Sequence, residues 1–358
     1  LTIMNIKDFE LERWFARYEH EAEIMLAESG IRSLDANRFD LNVGEMGYVI
    51  PTNGDPEFRD EIAERYGRNK EEILFTCGTQ EANFLVFISL LDKGDHAVVV
   101  TPTYQALHSV PEAFGNVTRV PLDPPDWKLS VEKVKEAVNE RTKLIVLNNP
   151  NNPTGRYHPL NIVKALLDIA EDVDAYLLCD EVYRLLVEDP LPPVAKISDR
   201  GISTTSLTKA YGIAGARFGW VCGPKEVVDK TWVWKDYTTI SPTKIGQHIA
   251  KQALGDMEDE ILRENRELAE KNREIVQEFI DRNGLGWYRP FGVNGFITIP
   301  DNFSSSVDFC KGFVKEYGVV LAPGEVFGYD GYFRIGFGLP TFELKEGLSR
   351  LDEYISEK

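Results

Sequence analysis

Lys209 lies in the run Ser206-Leu207-Thr208-Lys209-Ala210-Tyr211-Gly212, with Arg217 eight positions on and Cys179-Asp180-Glu181-Val182-Tyr183 ahead of it. An amine can condense with an aldehyde, a carboxylate can hold a proton on a ring nitrogen, and a guanidinium can hold a phosphate. An aldehyde-bearing, phosphorylated pyridine would need those three groups from a protein. Alone, each has a plainer reading: a surface lysine, a strand-capping acid, a solvated arginine. The small or apolar neighbours of Lys209 are expected to desolvate its ammonium and lower its pKa toward usefulness.

Other segments add donors and cations. Cys77-Gly78-Thr79-Gln80-Glu81-Ala82 stands between an expected strand, Ile73 to Thr76, and an expected helix, Ala82 to Leu91; backbone amides at a helix start bind phosphate. Asn148-Asn149-Pro150-Asn151-Asn152-Pro153-Thr154-Gly155 follows the apolar run Leu144 to Leu147 and by itself reads as a turn. Arg334 sits inside the apolar strand Tyr332-Phe333-Arg334-Ile335-Gly336-Phe337. Burying an unpaired guanidinium costs several kcal/mol, so Arg334 must face an anion.

The elements that position these groups follow from the alternation of short apolar stretches with longer amphipathic ones. His96 to Thr101, Leu144 to Asn148, Tyr176 to Asp180, Ser203 to Leu207 and Phe218 to Gly223 read as buried strands, predicting a mainly parallel α/β sheet covered by helices. Several of the chemical residues fall where these strands end, the usual ligand position in open α/β sheets. From Met257 to Arg282 a long charged helix carries an apolar face of Ile261, Leu262, Leu268, Ile275, Val276 and Phe279. Beyond it, strands are expected at Gly295 to Ile299, Val319 to Ala322 and Phe333 to Phe337, with helices near Ser306 to Tyr317 and Thr341 to Ser356. A length of 358 residues favours two domains: a large one over 42–254, and a smaller α+β one from 1–41 plus 255–358.

Composition narrows the function classes. With 40 basic against 58 acidic residues the net charge is −18, which disfavours nucleic acid and anionic lipid as partners. No apolar run approaches a bilayer span, and Leu1 to Phe9 lacks a basic region followed by an apolar core, so the expectation is a cytoplasmic protein. Cys77, Cys179, Cys222 and Cys310 are far apart and fit reduced thiols. His20, His96, His108, His158 and His248 show no ligand spacing, so no metal is expected.

Taken together, N-P-x-N-P-T-G, D-E-V-Y, S-x-T-K with arginine eight later, and F-R-I-G-F-G, in that order from Leu74 to Gly338, resemble the class I/II aminotransferases of fold type I. The resemblance implies a pyridoxal 5′-phosphate cofactor. Lys209 matches the family's Schiff-base lysine, which also moves a proton between substrate and cofactor. Asp180 matches the carboxylate on the pyridine nitrogen, and Tyr183 and Asn152 match the groups on the phenolic oxygen. Gly78, Thr79, Gln80, Ser206 and Arg217 match the phosphate site, and Tyr104 matches the aromatic that stacks on the ring. Arg334 matches the ligand of the substrate α-carboxylate, with Asn152 beside it, and Gly44 resembles the N-terminal glycine that touches the same carboxylate.

The family often places a tyrosine five residues before the glycine of a segment like Thr52-Asn53-Gly54-Asp55-Pro56, where it reaches a partner subunit's phosphate. Here Val49 holds that position and Tyr48 precedes it. The resemblance implies a homodimer with a shared active site, working in amino acid metabolism by ping-pong transamination between an L-amino acid and a 2-oxo acid. A lyase or cyclase acting at the β-carbon would use the same Lys209, Asp180 and Arg334, and Trp14 to Gly30 resembles the N-terminus of capreomycidine synthase-like enzymes. Ser206-x-x-Lys209 as a penicillin-recognising hydrolase motif would also want S-D-N and K-T-G, and neither occurs. A ligand-sensing regulator domain usually comes fused to a DNA-binding module, for which this acidic chain has no spare residues.

Overall fold

The computed structural model describes residues 6–358. After helix α1 (Glu10–Tyr18) and the short strand β1 (Ile24–Met25), helices and strands alternate. The run is α2 (Pro56–Tyr66), β2 (Ile73–Thr76), α3 (Thr79–Leu90), β3 (His96–Thr101), α4 (Ala106–Phe114), β4 (Asn116–Pro121), α5 (Val131–Ala137), β5 (Thr142–Asn148), α6 (Leu160–Asp172), β6 (Tyr176–Asp180), α7 (Val194–Ile197), β7 (Gly201–Ser206), β8 (Gly219–Cys222), α8 (Lys225–Lys235) and α9 (Lys244–Ala253). Strands β2 to β8 form one sheet in the order β2-β8-β7-β6-β5-β3-β4. Only β8 runs against its neighbours; the other pairings are parallel.

Alternate residues of the central strands feed two separate cores, as a sheet covered on both faces requires. Val98, Val100, Ile145, Leu147 and Leu177 pack on one face; Ala97, Val99, Leu144, Val146 and Leu178 pack on the other. This two-sided burial makes the strands continuous apolar runs and explains why they are legible in the sequence. The edge strand β4 was not expected there: only Val120 among its six residues is buried, so it carries no apolar signal.

The remaining elements are α10 (Glu258–Asn283), β9 (Asn294–Thr298), α11 (Ser306–Tyr317), β10 (Val319–Val320), β11 (Ala322–Pro323), β12 (Tyr332–Gly336) and α12 (Thr341–Glu357). The expected strand Val319 to Ala322 divides in two. Its first half pairs with β1, and its second joins the antiparallel sheet β11-β12-β9.

Ile261, Leu262, Val276 and Phe279 of α10 are buried as expected, but Leu268 and Ile275 are only partly covered, and Asn265 and Asn272 are fully buried. Asn265 donates to the Ala210 carbonyl, beside Lys209. Asn272 donates to the carbonyls of Phe337 and Leu339, next to the small sheet. The long helix thus ties the loop after β7 to the C-terminal unit by buried amide hydrogen bonds that a search for apolar periodicity cannot see. Among the described residues no helix is long and apolar enough to cross a membrane, and no group of three or more His, Cys, Asp or Glu is placed to hold a metal ion.

Candidate active site

The C-terminal ends of β5, β6 and β7 lie side by side, with Asn148 in register with Asp180 and Asp180 with Thr204. Over these ends opens a cavity of about 280 Å³. Thr79, Gln80, Tyr104, Asn152, Asp180 and Tyr183 line it. So do Ser206, Lys209, Arg217 and Arg334. Residues spread over more than 250 positions thus meet because parallel strands deliver their ends to one edge.

Lys209 Nζ donates to Glu28 Oε1 at 3.0 Å. Burial is the largest single influence on the Lys209 ammonium and lowers its pKa, but the charge and hydrogen bond of Glu28, with help from Tyr183, bring it out above its ordinary value. The expected depression is therefore reversed in this structure, because an anion 181 residues away in the chain reaches the amine. Lys209 in turn holds the Glu28 carboxyl below its usual range.

Asp180 is buried at the end of β6 and touches no cation directly. Its carboxylate accepts hydrogen bonds from Asn83 Nδ2 at 2.9 Å and from the Val182 amide at 3.2 Å. Burial outweighs both and raises its pKa from 3.8 to about 6. Asn83 is itself oriented by Thr204, whose hydroxyl donates to Asn83 Oδ1 at 2.6 Å. The side chain of Asn148 braces the turn after β5 by donating to the Asp180 carbonyl and accepting from the Asn152 amide.

At the other end of the cavity the turn from β2 into α3 is built for an anion. Gly78 takes φ +86°, and a Cβ there would lie 2.7 Å from Arg217 Nη2, so only glycine lets the guanidinium approach. Arg217 bonds the carbonyls of Ala214 and Cys77 and the Thr208 hydroxyl, and among the described residues has no carboxylate partner. Among the described residues, the buried Thr79 hydroxyl has no hydrogen-bond partner. Glu81 would oppose an anion here, but its charge is met by Lys235 at 3.3 Å and by the hydroxyls of Thr238 and Thr239.

Arg334 is 1% exposed. One Nη donates to Asn152 Oδ1 at 2.9 Å, the other to the Ala27 carbonyl at 2.6 Å, and Nε has no partner. No carboxylate pairs with it, and burial lowers its pKa. Among the described residues the expected anion is not a direct partner; Glu28 and Glu12 act on the guanidinium only from a distance. Tyr104 donates to Glu12 Oε1 at 2.8 Å, and its ring packs on Phe9. Tyr183 is buried in the cavity wall.

Gly44 is a correction. It is exposed in the loop 41–50 and has nothing within 4 Å of where a Cβ would stand. Besides residues of α1, Glu28 and Ser29 line the cavity instead, brought there because β1 pairs with β10 and the Gly336 amide donates to the Leu26 carbonyl. Tyr48 is also exposed and does not line this chain's cavity, while Val49 is buried. Sequence reasoning missed Glu28, Asn83, Asn148 and Thr208, together with Glu12, Phe15 and Glu19 of α1. The spacing 12, 15, 19 does mark one helical face.

Residues 36–351 match the family model described as aminotransferase class I and II. The chain is 31% identical over 333 residues to the aspartate/prephenate aminotransferase of Thermus thermophilus, covering 88% of this chain and 85% of that protein. It is 30% identical over 363 residues to the capreomycidine synthase of Streptomyces vinaceus, covering 96% and 92%. Among solved structures, a PLP-dependent aminotransferase from Streptococcus suis superposes with a TM-score of 0.93 at 32% identity, covering 99% of this chain and 98% of that one.

Proposed function

The chain belongs to the class I and II aminotransferase family, and from that premise we propose that it moves an amino group between an L-amino acid and a 2-oxo acid, with Lys209 as covalent anchor and proton carrier. The fold is that of the pyridoxal-phosphate-dependent aminotransferases, and the protein is a transaminase that depends on this cofactor. When bound, pyridoxal phosphate supplies a reactive aldehyde and an electron-withdrawing ring.

The residues present fit the group. Arg217 without a carboxylate, the orphaned Thr79 hydroxyl and the first amides of α3 suit the phosphate, with Ser206 and Gln80 beside them. Asp180, strained toward its neutral form by burial, would be relieved by a protonated ring nitrogen. Asn152 and Tyr183 would hold the phenolic oxygen, and Tyr104 would cover one ring face.

Arg334 binds the substrate α-carboxylate in this reading, with Asn152 Oδ1 fixing one edge of its fork, so the Cα–H bond is oriented before it is broken. Lys209 Nζ, as the neutral amine, would then take the proton from the substrate α-carbon, and Glu28, which pairs with its ammonium here, would hold the protonated form. The observation that carries the reading is Arg334: a fully buried guanidinium without an anion, in the same cavity as Lys209. Incubating the cofactor-loaded enzyme with single amino acids is expected to yield stoichiometric 2-oxo acid and the amine form of the cofactor in its absorbance spectrum. Release of ammonia instead would overturn transamination.

A lyase or cyclase reading has one observation in its favour: the capreomycidine synthase relative spans more of this chain, 96% against 88%. Ammonia or a cyclised product in the same assay would establish it. We further propose a homodimer. Leu41, Met46, Tyr48 and Ile50 are exposed on one loop, and Trp234 of α8, Tyr237 and Ile240 of the turn after it, and Ile245 of α9 are exposed as well. Trp232 Nε1 to Thr52, and His248 and Gln252 to the Asp40 carbonyl, join these segments into one face. An apolar face of this kind suits a second copy, and Tyr48 would reach the partner's phosphate from it. The reading keeps the units 42–254 and 1–41 with 255–358, supported by the separation of the seven-stranded sheet from the two- and three-stranded ones, and takes the cytoplasm as the compartment, supported by four free thiols.

A further inference from the structure

The cavity holds more negative charge than the reaction above uses. Its lining cations are Lys209, Arg217 and Arg334; its lining acids are Asp180, Glu28, Glu12 and Glu19. Arg217 serves a phosphate, Arg334 an α-carboxylate, Asp180 a ring nitrogen, and Glu28 is paired with Lys209. That leaves Glu12 and Glu19 without a direct ion pair to a lining cation, Glu12 acting on Arg334 only from a distance. Glu12 accepts one hydrogen bond, from Tyr104. Among the described residues, Glu19 is paired only with the exposed His20 ring, 3.8 Å away.

Their placement is ordered. Glu12 and Phe15 of α1 and Glu19, its C-cap, lie along one face, while the other face buries Leu11, Trp14 and Tyr18. Arg13 and Arg17, the basic residues of the same helix, do not line the cavity. Phe15 lies over Arg334, with the guanidinium carbon 5.9 Å from the ring centre. An amino acid held by its α-carboxylate at Arg334 therefore has Phe15 beside its side chain and a glutamate about one helical turn, roughly 5 Å, away in either direction. That a carboxylate binds at Arg334 stands on a separate observation, the buried fork with its unpartnered Nε and no anion of its own. Glu12, Phe15, Glu19 and Glu28 also lie outside the family match, which begins at residue 36.

We propose that the amino donor is an amino acid whose side chain ends in a cation, an ammonium or a guanidinium, received by Glu12 and Glu19 across the ring of Phe15. The proposal rests on the transaminase reading of this site. A side-chain carboxylate, as in aspartate or glutamate, would meet two like charges and no free cation on this face. The ring of Phe15 packs against the methylenes of a long side chain and offers its face to the terminal cation.

The test is a donor panel with the cofactor-loaded enzyme: lysine, ornithine and arginine against norleucine, their neutral counterpart, and against aspartate and glutamate. At least one cationic donor is expected to exceed norleucine in kcat/KM by tenfold or more, chiefly through KM, with aspartate and glutamate below norleucine. The ranking among the cationic donors tells ammonium from guanidinium. In Glu12→Gln and Glu19→Gln the cation-to-norleucine ratio is expected to fall toward one, and Glu12→Asp is expected to restore part of it. The cofactor absorbance band and melting temperature of each variant report whether it folds and loads. Binding of unreactive α-methyllysine and α-methylnorleucine, followed calorimetrically, gives the same ratio without turnover. Equal or better use of norleucine, aspartate or glutamate, or an unchanged ratio in both Gln variants, would overturn the proposal and leave transamination standing. Turnover of no amino acid at all would instead sink the reading on which it rests.

Discussion

Asp180 shows how a single residue carries both stability and chemistry. The folded chain without cofactor holds the Asp180 proton more tightly than the unfolded chain does, since burial lifts its pKa from 3.8 to about 6. Stability therefore falls as pH rises through that window, by an amount on the order of 3 kcal/mol, and the buried Glu181, raised to about 7, extends the decline upward. Asp180→Asn is expected to flatten the lower part of this decline in urea titrations of the cofactor-free protein while weakening cofactor retention. Lys209→Ala is expected to reduce transamination at least about a hundredfold, as loss of a positioned acid–base does. Wild-type rates in that variant would remove Lys209 from the mechanism. Glu28→Gln removes the main influence that holds the Lys209 pKa up, leaving burial, the largest influence, and Arg334 to lower it against Tyr183 alone. The Lys209 ammonium of the cofactor-free protein, followed by NMR after reductive methylation with labelled formaldehyde, is expected to titrate at lower pH in that variant.

The turn from β2 into α3 and the helix α10 act as elements rather than as single groups. Gly78 takes a left-handed φ and sits against Arg217, so Gly78→Ala strains the backbone and displaces the guanidinium. Cofactor affinity is expected to fall about tenfold or more, the worth of one charge-assisted hydrogen bond. Asn265 of α10 reaches 55 residues back along the chain to cap the Ala210 carbonyl in the loop that carries Lys209. Asn265→Ala leaves that buried carbonyl unpaired and is expected to cost about 1–3 kcal/mol in denaturant unfolding. Both elements were expected from the sequence as a turn and a helix, but their tertiary contacts were not. The polar residues that make those contacts interrupt the apolar pattern by which helices are read.

At the scale of the whole molecule, the exposed apolar face around Tyr48, Tyr237 and Ile245 is expected to be covered by a second copy. Light scattering should give a particle of two 40.6 kDa chains. Tyr237→Asp, at a position 81% exposed in the single chain, is expected to shift that particle toward monomer without unfolding it. A monomeric wild-type protein with full activity would remove both the dimer and the proposed reach of Tyr48.

Much of this protein was settled by local sequence. Strands buried on both faces must be continuous apolar runs, and a residue that ends such a run must point at the sheet's C-terminal edge. That rule brought Asp180 and the segments after β5 and β7 to one edge, and the family resemblance assigned Asn152, Ser206, Lys209 and Arg217 to the same site before any coordinates. The N-terminal segment had no such rule. Whether Gly44 or Glu28 would reach the cavity depended on how β1 pairs with β10 and where α1 comes to rest, and those contacts span about 300 residues. The tertiary structure alone decided that Lys209 is paired, that Asn83 orients Asp180, and that Glu12 and Glu19 line the cavity. Each depends on a contact between elements whose separate sequences hold no trace of the other.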